Sequence, residues 1–289
     1  MPLFFFLFII TMLLPALWPQ IDLLASGLFY RPGQGFFLAD NLFFVSLHWL
    51  AYYGARVLGV AFAALAAGAY FQQNRTNSPP LAGGVRGGVG CGPREHNGEY
   101  GIALTDDPAP RGTATCNTIC QIGDRVSRKG RGIALLYLDA KAWLFLLLAL
   151  IIAPGLVANA GFKDHWGRAR PRETAAFGGT ESFTPFYVPQ FQKAHSNGSF
   201  VSGDGAFGFF LPVFAYVVPR RFASRTFWAC MGAGGLFGLA RIVMGAHFLS
   251  DVIYAAFFML LSVACVHAAL YGNRETATRW RSFFKALKP

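Results

Sequence analysis

The stretch AWLFLLLALIIAPGLVANAGFKDHWGRARP, residues 142–171, decides the fold. Residues 142–162 carry no charge, and about 20 mostly apolar residues are what a helix needs to cross the hydrocarbon core of a bilayer. The run stops at Lys163, where a basic cluster with Arg168 and Arg170 begins. Five other segments are similarly apolar, 2–18, 49–71, 198–218, 226–246 and 252–272, and three of them contain a charge, Arg56, Asp204 and Arg241. The expected fold is therefore an all-α membrane protein, a bundle of six transmembrane helices. Lipid leaves no solvent for unpaired backbone groups, and a transmembrane barrel would read as short alternating strands instead.

Composition agrees. Of 289 residues 54% are hydrophobic and 30 are Phe, with a mean hydropathy of +0.40, more apolar than a soluble domain of this length needs. A net charge of +11 suggests nucleic acid at first sight. The basic residues lie between apolar segments, however, which fits cytoplasmic flanks and anionic lipid or phosphate, so no nucleic-acid partner is expected. Cys230 and Cys265 lie in apolar segments, while Cys91, Cys116 and Cys120 share a polar linker with His96. Their C-x4-H and C-x3-C spacings lack the tight pair of a zinc site, and neither metal nor cofactor is expected. The N-terminal MPLFFFLFIITMLLPALW has no basic leader region and no A-x-A site, and reads as a retained first span.

The chain divides into 1–71, two helices with a short outer loop; 72–132, a long irregular Gly/Pro-rich linker between helices two and three; 133–272, a four-helix catalytic core; and 273–289, a basic tail. Arg220, Arg221 and Arg225 follow the fourth segment, and Arg274, Arg279, Arg281, Lys285 and Lys288 follow the sixth, so both flanks read as cytoplasmic. Arg125, Arg128, Lys129 and Arg131 before the third agree with this, and both termini are expected inside. The loop 163–197 disobeys: it should be external, yet it carries Lys163, Arg168, Arg170, Arg172 and Lys193. Basic residues kept outside against the topological preference point to an anionic ligand there.

Three clusters fall on that outer side: KDHWGRARP (163–171), SGD (202–204) and RIVMGAHFLSD (241–251). Lys163 offers a point charge and Arg170 a planar fork for phosphate oxygens, and Arg241 adds a third cation. The Ser202 and Gly203 backbone N–H groups, at a helix start, can cradle an oxyanion. His247 can attack phosphorus, with Asp251 four residues on accepting its other N–H and fixing the tautomer. Asp251 or Ser250 can also cap the last span.

These residues resemble the type 2 phosphatidic acid phosphatase superfamily (PAP2), whose signature is K-x6-RP, then SGH, then SR-x5-H-x3-D. Lys163, Arg170 and Pro171 match the first part, and Arg241, His247 and Asp251 match the third, with Ala240 where Ser is usual. Ser202 and Gly203 match the second, but Asp204 stands where the family has His. The resemblance covers roughly 144–270. It implies a six-helix fold and metal-independent removal of phosphate from a membrane lipid, through a phosphohistidine on His247. HWGRARP followed by FGG (177–179) is similar to bacterial inner-membrane members that include lipid A 4′-phosphatases, with the site facing the periplasm.

The family His gives a proton to the departing alkoxide. An aspartic acid ionises well below neutral pH in water, and the adjacent cations favour the ionised form. Three solutions follow: Asp204 is protonated only when phosphate is bound; the leaving group is a phosphate that needs no acid; or His165 or His195 donates. A lipid pyrophosphatase or phosphotransferase therefore stands as the alternative enzyme. A transporter stands as the alternative of another class, although the polar residues gather at one interface rather than at the midplane. Arg168 and Arg172 are expected to meet lipid headgroups or solvent, and Arg56 to snorkel outside the site. His48, His96 and His267 are expected to be structural.

Overall fold

The third apolar segment forms a helix because Asp139 caps it, accepting from the Ala142 N–H at 2.9 Å, and because nothing charged interrupts it until Lys163. This computed structural model describes residues 2–77, 138–193 and 198–284. Residues 78–137, with Cys91, His96, Cys116 and Cys120, lie outside the described residues, as does His195. Apart from the last turn of one helix, the described residues belong to a unit of Met1–Gln73 and Leu138–Pro289.

In chain order the elements are α1 (Pro2–Leu17), α2 (Ile21–Gly27), the antiparallel pair β1 (Tyr30–Arg31) and β2 (Gly35–Phe36), α3 (Leu42–Asn77), α4 (Ala140–Lys163), α5 (Gly203–Val217), α6 (Arg220–Val243), α7 (Leu249–Tyr271) and α8 (Asn273–Phe283). Pro154 has no N–H to give, and from Ile151 onward α4 opens into a wider turn. Within that turn the Asn159 side-chain amide donates to the Pro154 carbonyl at 2.7 Å.

The six expected spans are met differently. Four helices, α3, α4, α6 and α7, are long and apolar enough to cross a membrane. The first expected span is instead a pair, α1 and α2, bent by 94° where Pro19 interrupts the chain. The fourth, 198–218, is trimmed at both ends. Ser202 caps α5, its hydroxyl accepting from the Gly205 N–H at 3.1 Å, and Val218 turns extended ahead of Pro219. At about 1.5 Å per residue, α5 alone is shorter than the roughly 30 Å core.

That short helix is the hub, packed among α4, α6 and α7. Its approach to α6 rests on paired glycines: a methyl on Gly208 would fall 2.8 Å from the Gly234 Cα. Phe145, Leu146, Val201, Phe210, Val213, Phe227 and Met259 fill the core around it. By contrast α3 turns Leu50, Val57, Val60 and Phe71 outward, an apolar face suited to lipid. At the other end α8 folds back onto α6, where the Ser224 hydroxyl donates to the Phe283 carbonyl at 2.7 Å and the Phe283 and Phe227 rings stack at 4.9 Å. His267 hydrogen-bonds Thr276 at 2.7 Å there, the structural role expected of it.

Candidate active site

Four stretches meet at the N-terminus of α5: the end of α4, the loop after it, the segment 198–202, and the turn between α6 and α7. The Arg172 N–H donates to the Gly245 carbonyl at 3.1 Å, tying the loop to the turn. Gly245 has φ 63°, and the Phe36 ring lies so close that a methyl there would fall 2.4 Å from it, so the position requires glycine twice over.

His247 is buried in this turn. Its Nδ1 lies 2.6 Å from the Ser199 carbonyl oxygen. A carbonyl only accepts, so Nδ1 carries the proton and Nε2 keeps its lone pair. The expectation that Asp251 fixes the tautomer is corrected here: its Oδ2 is 3.8 Å from Nδ1, beyond hydrogen-bond range. The reason is that Oδ2 is already occupied, accepting from the Phe248 N–H at 2.8 Å as the cap of α7 and from the Ser199 hydroxyl at 2.6 Å. Asp251 thus holds the imidazole indirectly, through Ser199, the same residue whose carbonyl binds Nδ1. Burial pushes the His247 imidazole below its ordinary titration range, with Asp251 opposing and Arg241 reinforcing the shift.

A second correction concerns Arg168. Instead of meeting headgroups or solvent, it is fully buried. One guanidinium nitrogen donates to Asp251 Oδ1 at 2.5 Å and to the Ser250 hydroxyl at 2.8 Å, another to Asp22 Oδ2 at 2.8 Å, and Nε to the Thr184 carbonyl at 3.0 Å. Asp22 also accepts from the Ser250 N–H at 2.8 Å and hydroxyl at 2.6 Å. The Phe248 ring covers the guanidinium at 4.4 Å. The sequence held a signal for Asp22, since it is the sole charged side chain among residues 1–30, and an isolated acid in an apolar run generally faces a partner. Arg172 is exposed, as expected.

The predicted phosphate cradle is brought together in part. Lys163 lies within electrostatic reach of Arg170, Asp204 and Arg241, and Arg241 within reach of Asp204 and Arg170. The Lys163 ammonium stands beside the start of α5, where a methyl on Gly203 would fall 3.5 Å from Nζ. Arg170 Nε is buried without a hydrogen-bond partner among the described residues. The Ser202 N–H does not join the cradle, because it donates to the Asp251 carbonyl at 3.3 Å while its hydroxyl caps the helix. Among the described residues no partner is seen for the N–H groups of Gly203 and Asp204, which precede the capped Gly205 N–H and can meet an anion.

A third correction concerns His48. Expected to be structural, its Nδ1 lies 2.6 Å from Asp204 Oδ2, bridging α3 and α5. Arg241 Nε is 3.2 Å from that same oxygen, near enough for an ion pair though not aligned for a hydrogen bond. His165, an alternative donor, is exposed. Among the described residues no cluster of His, Cys, Asp or Glu is suited to a metal ion.

Residues 142–275 match the family model described as PAP2 superfamily. Over 136 residues the chain is 41% identical to the lipid A 4′-phosphatase of Francisella tularensis subsp. novicida (strain U112), covering 47% of this chain and 61% of that protein. It is 35% identical over 127 residues to the lipid A 4′-phosphatase of Rhizobium leguminosarum, covering 44% of this chain and 52% of that one. It is 36% identical over 128 residues to that of Rhizobium etli (strain ATCC 51251), covering 44% and 48%. The matched part thus spans about half to three-fifths of the length of these curated relatives. No solved structure matches.

Proposed function

Because residues 142–275 match the PAP2 superfamily model, we propose that the chain is a membrane-embedded phosphatase hydrolysing a phosphomonoester on a lipid A-like lipid through a phosphohistidine on His247. The carrying observation is the His247 tautomer. Nδ1–H is spent on the Ser199 carbonyl, so Nε2 is an unprotonated nucleophile, in a turn that also lies within electrostatic reach of Arg241 and Asp204. Lys163, Arg170, Arg241 and the first N–H groups of α5 oppose the negative charge that gathers on the phosphoryl oxygens as Nε2 bonds to phosphorus and the ester oxygen departs. Water then attacks phosphorus, and the P–N electron pair returns to the imidazole. The relatives' printed activity supports lipid A as the substrate class, and the basic residues that follow α5 and α7 support both termini cytoplasmic and the site facing the periplasm.

The neutral imidazole is the reactive form, and its depressed pKa keeps it neutral as the pH falls. The acid limb that His247 contributes to kcat/KM is therefore expected below pH 6.5, once the substrate's own ionisation near pH 6 is allowed for. A pH–rate profile on purified protein measures it, and an acid limb of this group at or above 6.5 contradicts the buried neutral state.

A second reading, hydrolysis of a lipid pyrophosphate, is favoured by the Arg241–Asp204 contact, since an ionised Asp204 suits a leaving group that needs no proton. Phosphate release from lipid A, simple lipid monophosphates and lipid pyrophosphates separates the readings. Release from monoesters at least tenfold faster than from pyrophosphates is expected, and the reverse order favours the second. Lipid flux in liposomes without phosphate release would instead point to a transporter.

A further inference from the structure

Asp204 and His48 come from helices far apart in sequence, yet their Oδ2 and Nδ1 atoms lie 2.6 Å apart. Two bare acceptors repel at that distance, so a proton lies between them. Both close partners of Asp204, His48 Nδ1 and Arg241 Nε, sit on Oδ2. Among the described residues no partner is seen on the other oxygen, Oδ1, which can meet substrate. The acid is also placed at the first turn of α5, beside the Gly203 N–H group and the Lys163 ammonium. His48 itself is only partly covered, its side chain 30% exposed, and it neighbours the Trp49 ring at 5.5 Å and the Tyr52 ring at 6.4 Å.

We propose that Asp204 and His48 act as one proton-holding pair, in which Asp204 Oδ1 protonates the departing alkoxide and His48 is the positioning residue that holds Oδ2. The inference rests on the phosphatase reading and adds to it a residue from α3, outside the matched family segment. One transferable proton is held either as carboxylic acid with neutral imidazole or as carboxylate with imidazolium, and in both forms the Nδ1–H donates to Oδ2. In the first step His247 Nε2 bonds to phosphorus, the P–O ester bond breaks, and its electron pair takes the proton from Oδ1. The carboxylate formed faces the His48 Nδ1–H and the Arg241 guanidinium. In the second step water attacks phosphorus, the P–N bond breaks, and the proton water releases returns to Oδ1. The sum is monoester plus water giving alcohol plus hydrogen phosphate, with the pair restored.

The test uses full-length protein in detergent with a lipid monophosphate, whose alkoxide needs a proton, and a lipid pyrophosphate, whose departing phosphate does not. His48→Asn keeps a donor for Oδ2 but cannot hold the extra proton. Both His48→Asn and Asp204→Asn are expected to lower kcat on the monoester about 100-fold or more, and on the pyrophosphate less than about threefold. Inhibition by inorganic phosphate, measured on each variant, reports whether the site is intact. Equal losses on both substrates with phosphate inhibition retained, or no loss in His48→Asn where Asp204→Asn is crippled, overturns the pair. Monoester hydrolysis that survives His247→Ala overturns the nucleophile reading beneath it, an outcome read on a different residue.

Discussion

His247→Ala is expected to reduce kcat/KM for phosphate release by roughly 10⁴- to 10⁶-fold, the scale on which removing a nucleophile from a concerted site registers. Its tautomer explains the size. The Ser199 carbonyl takes Nδ1–H, the ring is buried, and Nε2 is the lone pair left for phosphorus. Alanine deletes the nucleophile while leaving Lys163, Arg170 and Arg241 in position, so inhibition by inorganic phosphate should change by no more than about tenfold, or about 1.4 kcal/mol. Activity lost while phosphate still binds is the signature of a missing bond-forming atom. Loss of phosphate inhibition to the same extent as turnover would mean that His247 holds the turn together instead. Retention of wild-type turnover would remove the phosphohistidine altogether.

What the sequence made legible here was local. The capped apolar run of α4, its abrupt end at Lys163, and the spacing of His247 and Asp251 all state themselves within a few residues. Distant pairings were not legible. Arg168 sits inside a basic loop that suggests headgroups, and nothing near it announces Asp22, 146 positions away, as its partner. A lone His48 raises no alarm in an apolar helix, and its contact with Asp204 spans 156 positions. The role of Ser199 was hidden for another reason, since its contribution comes half from a backbone carbonyl. The fourth segment came out shorter than its composition suggests because the apolar run begins ahead of Ser202, while the Ser202 cap starts the helix only at Gly203 and Val218 turns extended before Pro219.

Arg168→Ala is expected to be the most destabilising single change among these residues, by about 3–5 kcal/mol, the cost of removing one partner from a buried ion pair. Arg168 serves two carboxylates at once, and both are buried. Without it, Asp22 and Asp251 face each other across Ser250 with hydrogen bonds but no cation, and α2 loses its charged anchor to the start of α7. Arg168→Lys should restore less than half of the loss. One ammonium cannot copy a planar fork that reaches Thr184, Ser250, Asp251 and Asp22 in three directions, nor stack as well under the Phe248 ring. Thermal unfolding in detergent reads the stability, and kcat reads the consequence for chemistry. Asp251 keeps its Phe248 N–H and Ser199 hydroxyl bonds in either variant. Whatever fraction of Arg168→Lys stays folded should therefore keep kcat within about tenfold of wild type, since the imidazole is held by Ser199 and not by the guanidinium. Full rescue by lysine, or an alanine variant within about 1 kcal/mol of wild type, would show the network to be solvated rather than sealed.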